Sequence, residues 1–182
     1  WVESGMVVGL GTGSTAVHAI RAIGERIASG DLREVVGIRT SRASETEAIA
    51  AGIPLTTLAE QPVVDLTIDG ADEVDPQLDL IKGAGGAQWR EKIVAQASVR
   101  EVIVADASKP VDVLGTRFPV PVEVPVFGWR PEAEYLDDMG ATVTIRRGAD
   151  GAEVVTDEGN WILDCAFGPI ADAARLAGLL DR

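Results

Sequence analysis

The residues best equipped for chemistry lie in two neighbouring stretches. The first is Asp65-Leu66-Thr67-Ile68-Asp69-Gly70-Ala71-Asp72-Glu73, and the second is Lys82-Gly83-Ala84-Gly85-Gly86-Ala87 running on into Arg90-Glu91-Lys92. An apolar strand that ends in Asp-Gly-Ala-Asp sets Asp69 and Asp72 at its carboxyl end, the edge where open α/β sheets bind ligands. The glycines of the second stretch let backbone N–H groups come close to an anionic or polyhydroxyl ligand. Glu91 falls in the first turn or so of the helix that this loop feeds. Carboxylates and an ammonium can then converge on one small molecule, which is an acid–base site in outline.

A second glycine loop lies upstream. Met6-Val7-Val8-Gly9-Leu10 reads as a short buried strand, Gly11-Thr12-Gly13-Ser14-Thr15 as a tight loop, and Ala16 onward as a helix with Val17, Ile20, Ile23 and Ile27 on one face. Strand, loop and helix N-terminus make a phosphate cradle, because unpaired N–H groups and the helix dipole favour negative charge. Thr12, Ser14 and Thr15 add hydroxyls. The loop is not a Walker A motif, since no lysine follows its second glycine, and it lacks the third glycine of a dinucleotide fingerprint. By itself it fits an ordinary strand-to-helix turn equally well.

The elements that must position these loops alternate between strand and helix. Val35 to Ile38 is a strand; Ser44-Glu45-Thr46-Glu47 has the form of a capping box opening a helix that Gly52 closes. Short strands follow at Ile53 to Leu55, Leu66 to Ile68 and, after a helix from Gln88 to Ala97, at Val102 to Val104. This is a parallel, doubly wound, Rossmann-like α/β pattern. From Pro119 the texture changes: a strand at Val120 to Val124, a helix from Glu132 to Met139 ended by Gly140, strands at Ala141 to Ile145 and Trp161 to Cys165 around a hairpin-like Glu153 to Thr156, and a helix from Ala171 to Leu180. That order is a ferredoxin-like split βαβ pattern lacking its closing strand. The expected division is therefore a large domain over 1–118 and a small α+β domain over 119–182.

At 182 residues and 46% hydrophobic, the chain can bury one solid core and a smaller second one. A net charge of -13 argues against nucleic acid and anionic membrane surfaces as partners. An anionic ligand must be held by local groups against that field. Of only three lysines, Lys82 and Lys109 both sit in loops of interest. The single cysteine, Cys165, allows no intrachain disulfide and makes a reducing compartment the default. No apolar run reaches the roughly 20 residues of a membrane span, and the expected location is the cytoplasm.

Taken in order, the motifs resemble the ribose-5-phosphate isomerases of the A type: Gly11 to Thr15, Asp69 to Glu73, Lys82 to Gly85 with Arg90-Glu91-Lys92, Ala105-Asp106-Ala107-Ser108-Lys109, and Phe118-Pro119-Val120-Pro121-Val122-Glu123-Val124. The resemblance spans essentially the whole chain, and Ala84 departs from it where the family usually has glycine. It implies interconversion of an aldose phosphate and a ketose phosphate through an enediolate. Glu91 matches the family base, abstracting at C2 and delivering at C1. Lys82 is the implied electrophile, Asp69 and Asp72 bind the substrate hydroxyls with one of them available to assist ring opening, and Lys109 with Thr12, Gly13, Ser14 and Thr15 holds the polar ends. Gly70, Ala71, Gly83, Ala84 and Gly85 complete the implied binding set. Either loop can take the phosphate. No metal or other cofactor is implied, and the partner is a small sugar phosphate, with assembly as a homodimer or homotetramer at full length.

Each residue also has a plainer reading. Asp-Gly pairs mostly make turns, and Glu91 between Arg90 and Lys92 fits a solvated helix start. His18 reads as a structural helix residue, Cys165 as core, and Trp89 as a core aromatic. Two rival functions share these loops: a non-catalytic sugar-phosphate sensor, and an amino-sugar phosphate deaminase or coenzyme A transferase of related fold. A sensor has no need of Lys82 and Glu91, and a deaminase calls for a histidine that His18 does not supply. Against the family pattern both ends look cut, so residues 1–182 alone are expected to be marginally stable, prone to association and weakly active.

Overall fold

The computed structural model describes residues 1–181. Its elements run β1 (Val7–Leu10), α1 (Ala16–Ala28), β2 (Val36–Arg39), α2 (Arg42–Ala50), β3 (Leu66–Gly70), β4 (Glu73–Val74), β5 (Leu80–Ile81), α3 (Gln88–Gln96), β6 (Glu101–Val104), β7 (Val120–Val124), a 3-10 turn at Val126–Gly128, α4 (Trp129–Asp138), β8 (Thr142–Ile145), β9 (Trp161–Ala166) and α5 (Ala173–Leu180). Two compact units divide the chain: residues 1–70 with 87–106, and residues 71–86 with 107–182. A cut at 118 follows the change in texture, whereas packing places 71–86 and 107–118 with the later residues.

In the first unit four strands form a sheet of order β2-β1-β3-β6, every pairing parallel. Alternation along β1 sends successive side chains to opposite faces. Val8 and Leu10 join Ile20 and Ile23 of α1, Ala48 of α2 and Leu66 in the larger core cluster. Val7 packs instead with Ile38, Val64 and Val94 of α3. Helices thus cover both faces, and the chain has the α/β fold that its alternation of elements predicts.

In the second unit β4 and β5 pair as a small antiparallel hairpin, an element the sequence reading did not anticipate. Strands β7, β8 and β9 form an antiparallel sheet with β9 in the middle, which is the strand order of a split βαβ unit. Leu163 and Cys165 of β9 pack with Val124, Leu136 and Ala141, and with Trp129 and Leu180 at the margin. A separate cluster links Ile81, Val111 and Leu114 to Val120, Ile170 and Ala173.

Several boundaries move from their expected places. Helix α2 opens at Arg42 because Ser41 is the cap: its hydroxyl accepts from the Ser44 N–H at 2.9 Å, and the Ser44 hydroxyl accepts from the Ser41 N–H at 3.0 Å. A serine thus fills the place the capping-box pattern reserves for Glu or Gln. The Ile53 to Leu55 strand reduces to a single parallel bridge between Leu55 and Gly37, and Glu153 to Thr156 to isolated bridges with Arg147 and Trp161. Helix α4 begins at Trp129 and α5 at Ala173, where the Asp172 carboxylate accepts from the Arg175 N–H at 2.9 Å. On α1 the buried residues are Ala16, Ile20, Ile23 and Gly24; Val17 is half-buried and Ile27 packs at the edge of the core.

Candidate active site

In the first unit, the loop after β1 is built around Asp69. Its carboxylate is fully buried, and one oxygen accepts from the Thr12 N–H at 3.0 Å and the Gly70 N–H at 2.7 Å. Gly11 donates to the Ile68 carbonyl at 2.9 Å. A Cβ on Gly11 would lie 2.3 Å from an Asp69 carboxylate oxygen, so only glycine lets the two strand ends approach this closely. The Thr12 hydroxyl is committed inward, to Thr40 at 2.8 Å and Ser41 at 2.7 Å. Ser14 is exposed and Thr15 half-buried, and Thr15, the residue before α1, makes no side-chain cap to the helix. The hydroxyls open to a ligand in this loop are therefore those of Ser14 and Thr15, while Asp69 and Thr12 fix its shape.

Glu91 is 5% exposed, in the first turn of α3. A carboxylate held out of water near a helix N-terminus is favoured there by the dipole, and it is not the solvated surface charge that its basic neighbours suggest. Trp89 is exposed rather than core, His18 is exposed on α1, and Cys165 is buried as expected.

The second unit carries Asp72, the lysine loop and Lys109. Ala71 is buried, and Asp72, just beyond it, donates its N–H to the Ile81 carbonyl at 2.8 Å and accepts from the Ala84 N–H at 2.9 Å through its carboxylate. Lys82 follows directly on β5 and is half-buried. In the loop after it, Gly83 and Gly86 take φ of +108° and +77°, whereas Ala84 is not among the residues of positive φ. The alanine thus occupies a position whose backbone any L-residue can adopt. Gly85 is exposed. Lys109 is half-buried with its ammonium 5.3 Å from the centre of the Phe118 ring.

Two supports for these loops escaped the sequence reading. Glu73 is fully buried, and its carboxylate accepts from the N–H groups of Gly115 at 2.6 Å, Arg117 at 2.6 Å and Phe118 at 2.8 Å. The signal was present: adjacent acids at a strand start face opposite ways, so Asp72 and Glu73 must serve different loops. The other support is Arg146. Its guanidinium pairs with both Asp164 oxygens, one at 2.9 Å, and donates to the carbonyls of Gly83 at 3.1 Å and Ala84 at 2.9 Å. No local pattern marks this arginine, because the carbonyls it holds lie more than sixty residues away. Among the described residues no group of three or more His, Cys, Asp or Glu is placed to hold a metal ion, and no helix is long and apolar enough to cross a membrane.

Comparison with known proteins identifies the family. The family model for ribose 5-phosphate isomerase A (phosphoriboisomerase A) matches residues 36–182. A ribose-5-phosphate isomerase A from Chloroflexus aurantiacus is 56% identical over 98% of this chain and 75% of its own length. The structure of ribose 5-phosphate isomerase A from Methanocaldococcus jannaschii superposes with a TM-score of 0.94 at 44% identity, covering all of this chain and 80% of that one. A D-ribose-5-phosphate isomerase in complex with phospho-erythronic acid superposes with a TM-score of 0.91 at 39% identity, over 94% of this chain and 76% of that one. With its parallel sheet, its paired glycine loops and a buried glutamate on the helix that follows the lysine loop, the chain belongs to the ribose 5-phosphate isomerase A family.

Proposed function

We propose that this aldose–ketose isomerase interconverts D-ribose 5-phosphate and D-ribulose 5-phosphate with Glu91 as its single base. The observation that carries the reading is a carboxylate only 5% exposed in the first turn of the helix that follows a lysine and glycine loop. The Glu91 carboxylate takes the proton from C2 of the open-chain aldose, the electron pair moves into the C1 carbonyl, and the enediolate forms. The protonated carboxyl returns the proton to C1 while the proton of the C2 hydroxyl passes to the C1 oxygen, so that the C2 oxygen becomes the carbonyl and the C1 oxygen a hydroxyl. Lys82 supplies the positive charge that stabilises the oxyanion. Asp72 and the N–H groups of the lysine loop bind hydroxyls; Ser14, Thr15 and the start of α1 suit the phosphate by charge, and Lys109 adds a cation.

A solved relative holding phospho-erythronic acid supports a phosphorylated hydroxy compound as the ligand class. The rival sensor and deaminase readings gain no support from the family match. We further read the enzyme as cytoplasmic and assembled as a homodimer or homotetramer, with 119–182 forming a lid or contact surface; sedimentation of the purified protein tests the assembly.

The test of the central reading is Glu91→Gln, which keeps shape and hydrogen bonding but removes the base. Turnover of ribose 5-phosphate should fall by about 10² to 10⁴-fold with KM nearly unchanged, and Lys109→Ala should mainly raise KM. Wild-type turnover in excess EDTA should be undiminished. Retained turnover in Glu91→Gln, or loss in EDTA, rejects the mechanism.

A further inference from the structure

Gln88 is the first residue of α3, and both the oxygen and the nitrogen of its side chain are closed off from solvent without a hydrogen-bond partner among the described residues. Buried polar groups are nearly always paired, because a donor or acceptor stripped of water and given nothing in return destabilises the fold. A methionine or leucine of similar volume would fill the same space without that penalty. The carboxamide is thus a group the folded protein tolerates rather than needs.

Its place on the helix suggests what it is for. Residues three apart share a helix face, and the buried residues of α3 are Glu91 and Val94. Gln88, Glu91 and Val94 therefore form one line, with the carboxamide one turn ahead of the carboxylate. Helical side chains lean toward the N-terminus, which brings the Glu91 carboxylate over the turn that Gln88 begins.

We propose that Gln88 is a substrate-binding residue whose carboxamide hydrogen-bonds a sugar hydroxyl beside the carbon that Glu91 deprotonates. The pairing follows from the group's chemistry. A carboxamide presents a donor and an acceptor side by side, and a hydroxyl answers both, since it accepts through its oxygen and donates its hydrogen. A phosphate dianion would satisfy only the NH2 and leave the carbonyl oxygen as it is. The ligand that completes Gln88 is the polyol, not the phosphate. This inference rests on Glu91 as the base.

The test uses the full chain with Gln88→Met and Gln88→Leu, the first guarding against misfolding of the second. Thermal melting, kcat and KM for ribose 5-phosphate, and the inhibition constant of inorganic phosphate are measured for each. Both variants should melt no lower than the wild type, with KM raised about five- to thirtyfold, the effect of one buried hydrogen bond, and phosphate inhibition within about twofold of wild type. Unchanged KM with hotter melting would reduce the carboxamide to a packing defect and overturn the proposal. A parallel rise in the phosphate inhibition constant would move Gln88 to the phosphate and overturn it as well. Glu91→Gln, run alongside, isolates the other premise: if its turnover is retained, the base assignment fails whatever Gln88 does.

Discussion

Asp72 and Glu73 are neighbours with opposite duties, one carboxylate fastened to the lysine loop and the other to the turn at 115–118. Glu73 is the more demanding, since three N–H groups converge on it in a fully buried place. Glu73→Gln would turn an NH2 toward at least one of those donors, and urea unfolding should show a loss of about 1.5–3 kcal/mol. Cys165 behaves as core. Burial, with the Asp164 carboxylate adding to it, pushes its thiol up from 9.0 to about 12. Between those values the native state keeps a proton that the unfolded chain has lost, so stability falls as pH rises through that window. Cys165→Ala should flatten the alkaline limb of the stability curve, and native protein should resist thiol reagents at pH 8 until denaturant is added. The proposed catalytic set could be named at this scale because Asp69, Asp72, Lys82 and Glu91 occur in recognisable order. Their separate duties were not: that Asp69 and the Thr12 hydroxyl shape a loop depends on Thr40, Ser41 and Gly70, and only the fold brings Thr40 and Ser41 to Thr12.

Strand β9 shows how one element serves two tasks by alternation. Leu163 and Cys165 face the core with α4 and β7, while Asp164 points the other way and anchors Arg146 against the carbonyls of Gly83 and Ala84. Because a planar fork makes these contacts at once, Arg146→Lys should keep the charge and lose the clamp. We expect a five- to twentyfold drop in kcat/KM, an effect of roughly 1–2 kcal/mol, with little change in melting temperature; equal losses in both would mark Arg146 as purely structural. Ser41→Ala should cost about 1 kcal/mol through the cap of α2, read from the melting curve. Strands and long helices were legible from apolar periodicity, as β1, β3 and β7 show. The β4–β5 hairpin was not, since two-residue strands carry no period, and α2 was misplaced because the Ser44-to-Glu47 pattern outranks the Ser41-to-Ser44 pair that caps it.

At the scale of the molecule the chain leaves one compact unit for the other three times, after Gly70, Gly86 and Asp106. Each passage falls beside a candidate residue: Asp69 and Asp72, then the lysine loop and Glu91, then Lys109. A change of composition near residue 118 could not reveal this, because the contacts that tie 71–86 and 107–118 to the late residues join apolar side chains far apart in sequence. Ile81, Val111 and Leu114 are buried together with Val120, Ile170 and Ala173. A fragment of residues 1–118 should therefore expose that cluster, bind a hydrophobic dye and melt without a sharp transition, whereas residues 1–182 should melt more cooperatively than the fragment; a fragment with a sharp, dye-free transition would show the early segments to be self-sufficient.

The grip of Arg146 and Asp164 on the lysine loop also sets an order of events in time. A ribosome adds about 5–20 residues per second, so the loop emerges roughly 3–16 seconds before the side chains that hold its carbonyls. The first unit, complete once Glu101 to Val104 have paired with β3, can already present Glu91 on its helix. The loop after Lys82 must wait for Arg146 and Asp164. The growing chain thus sets the proposed base in place before the residues that hold the lysine loop have been made.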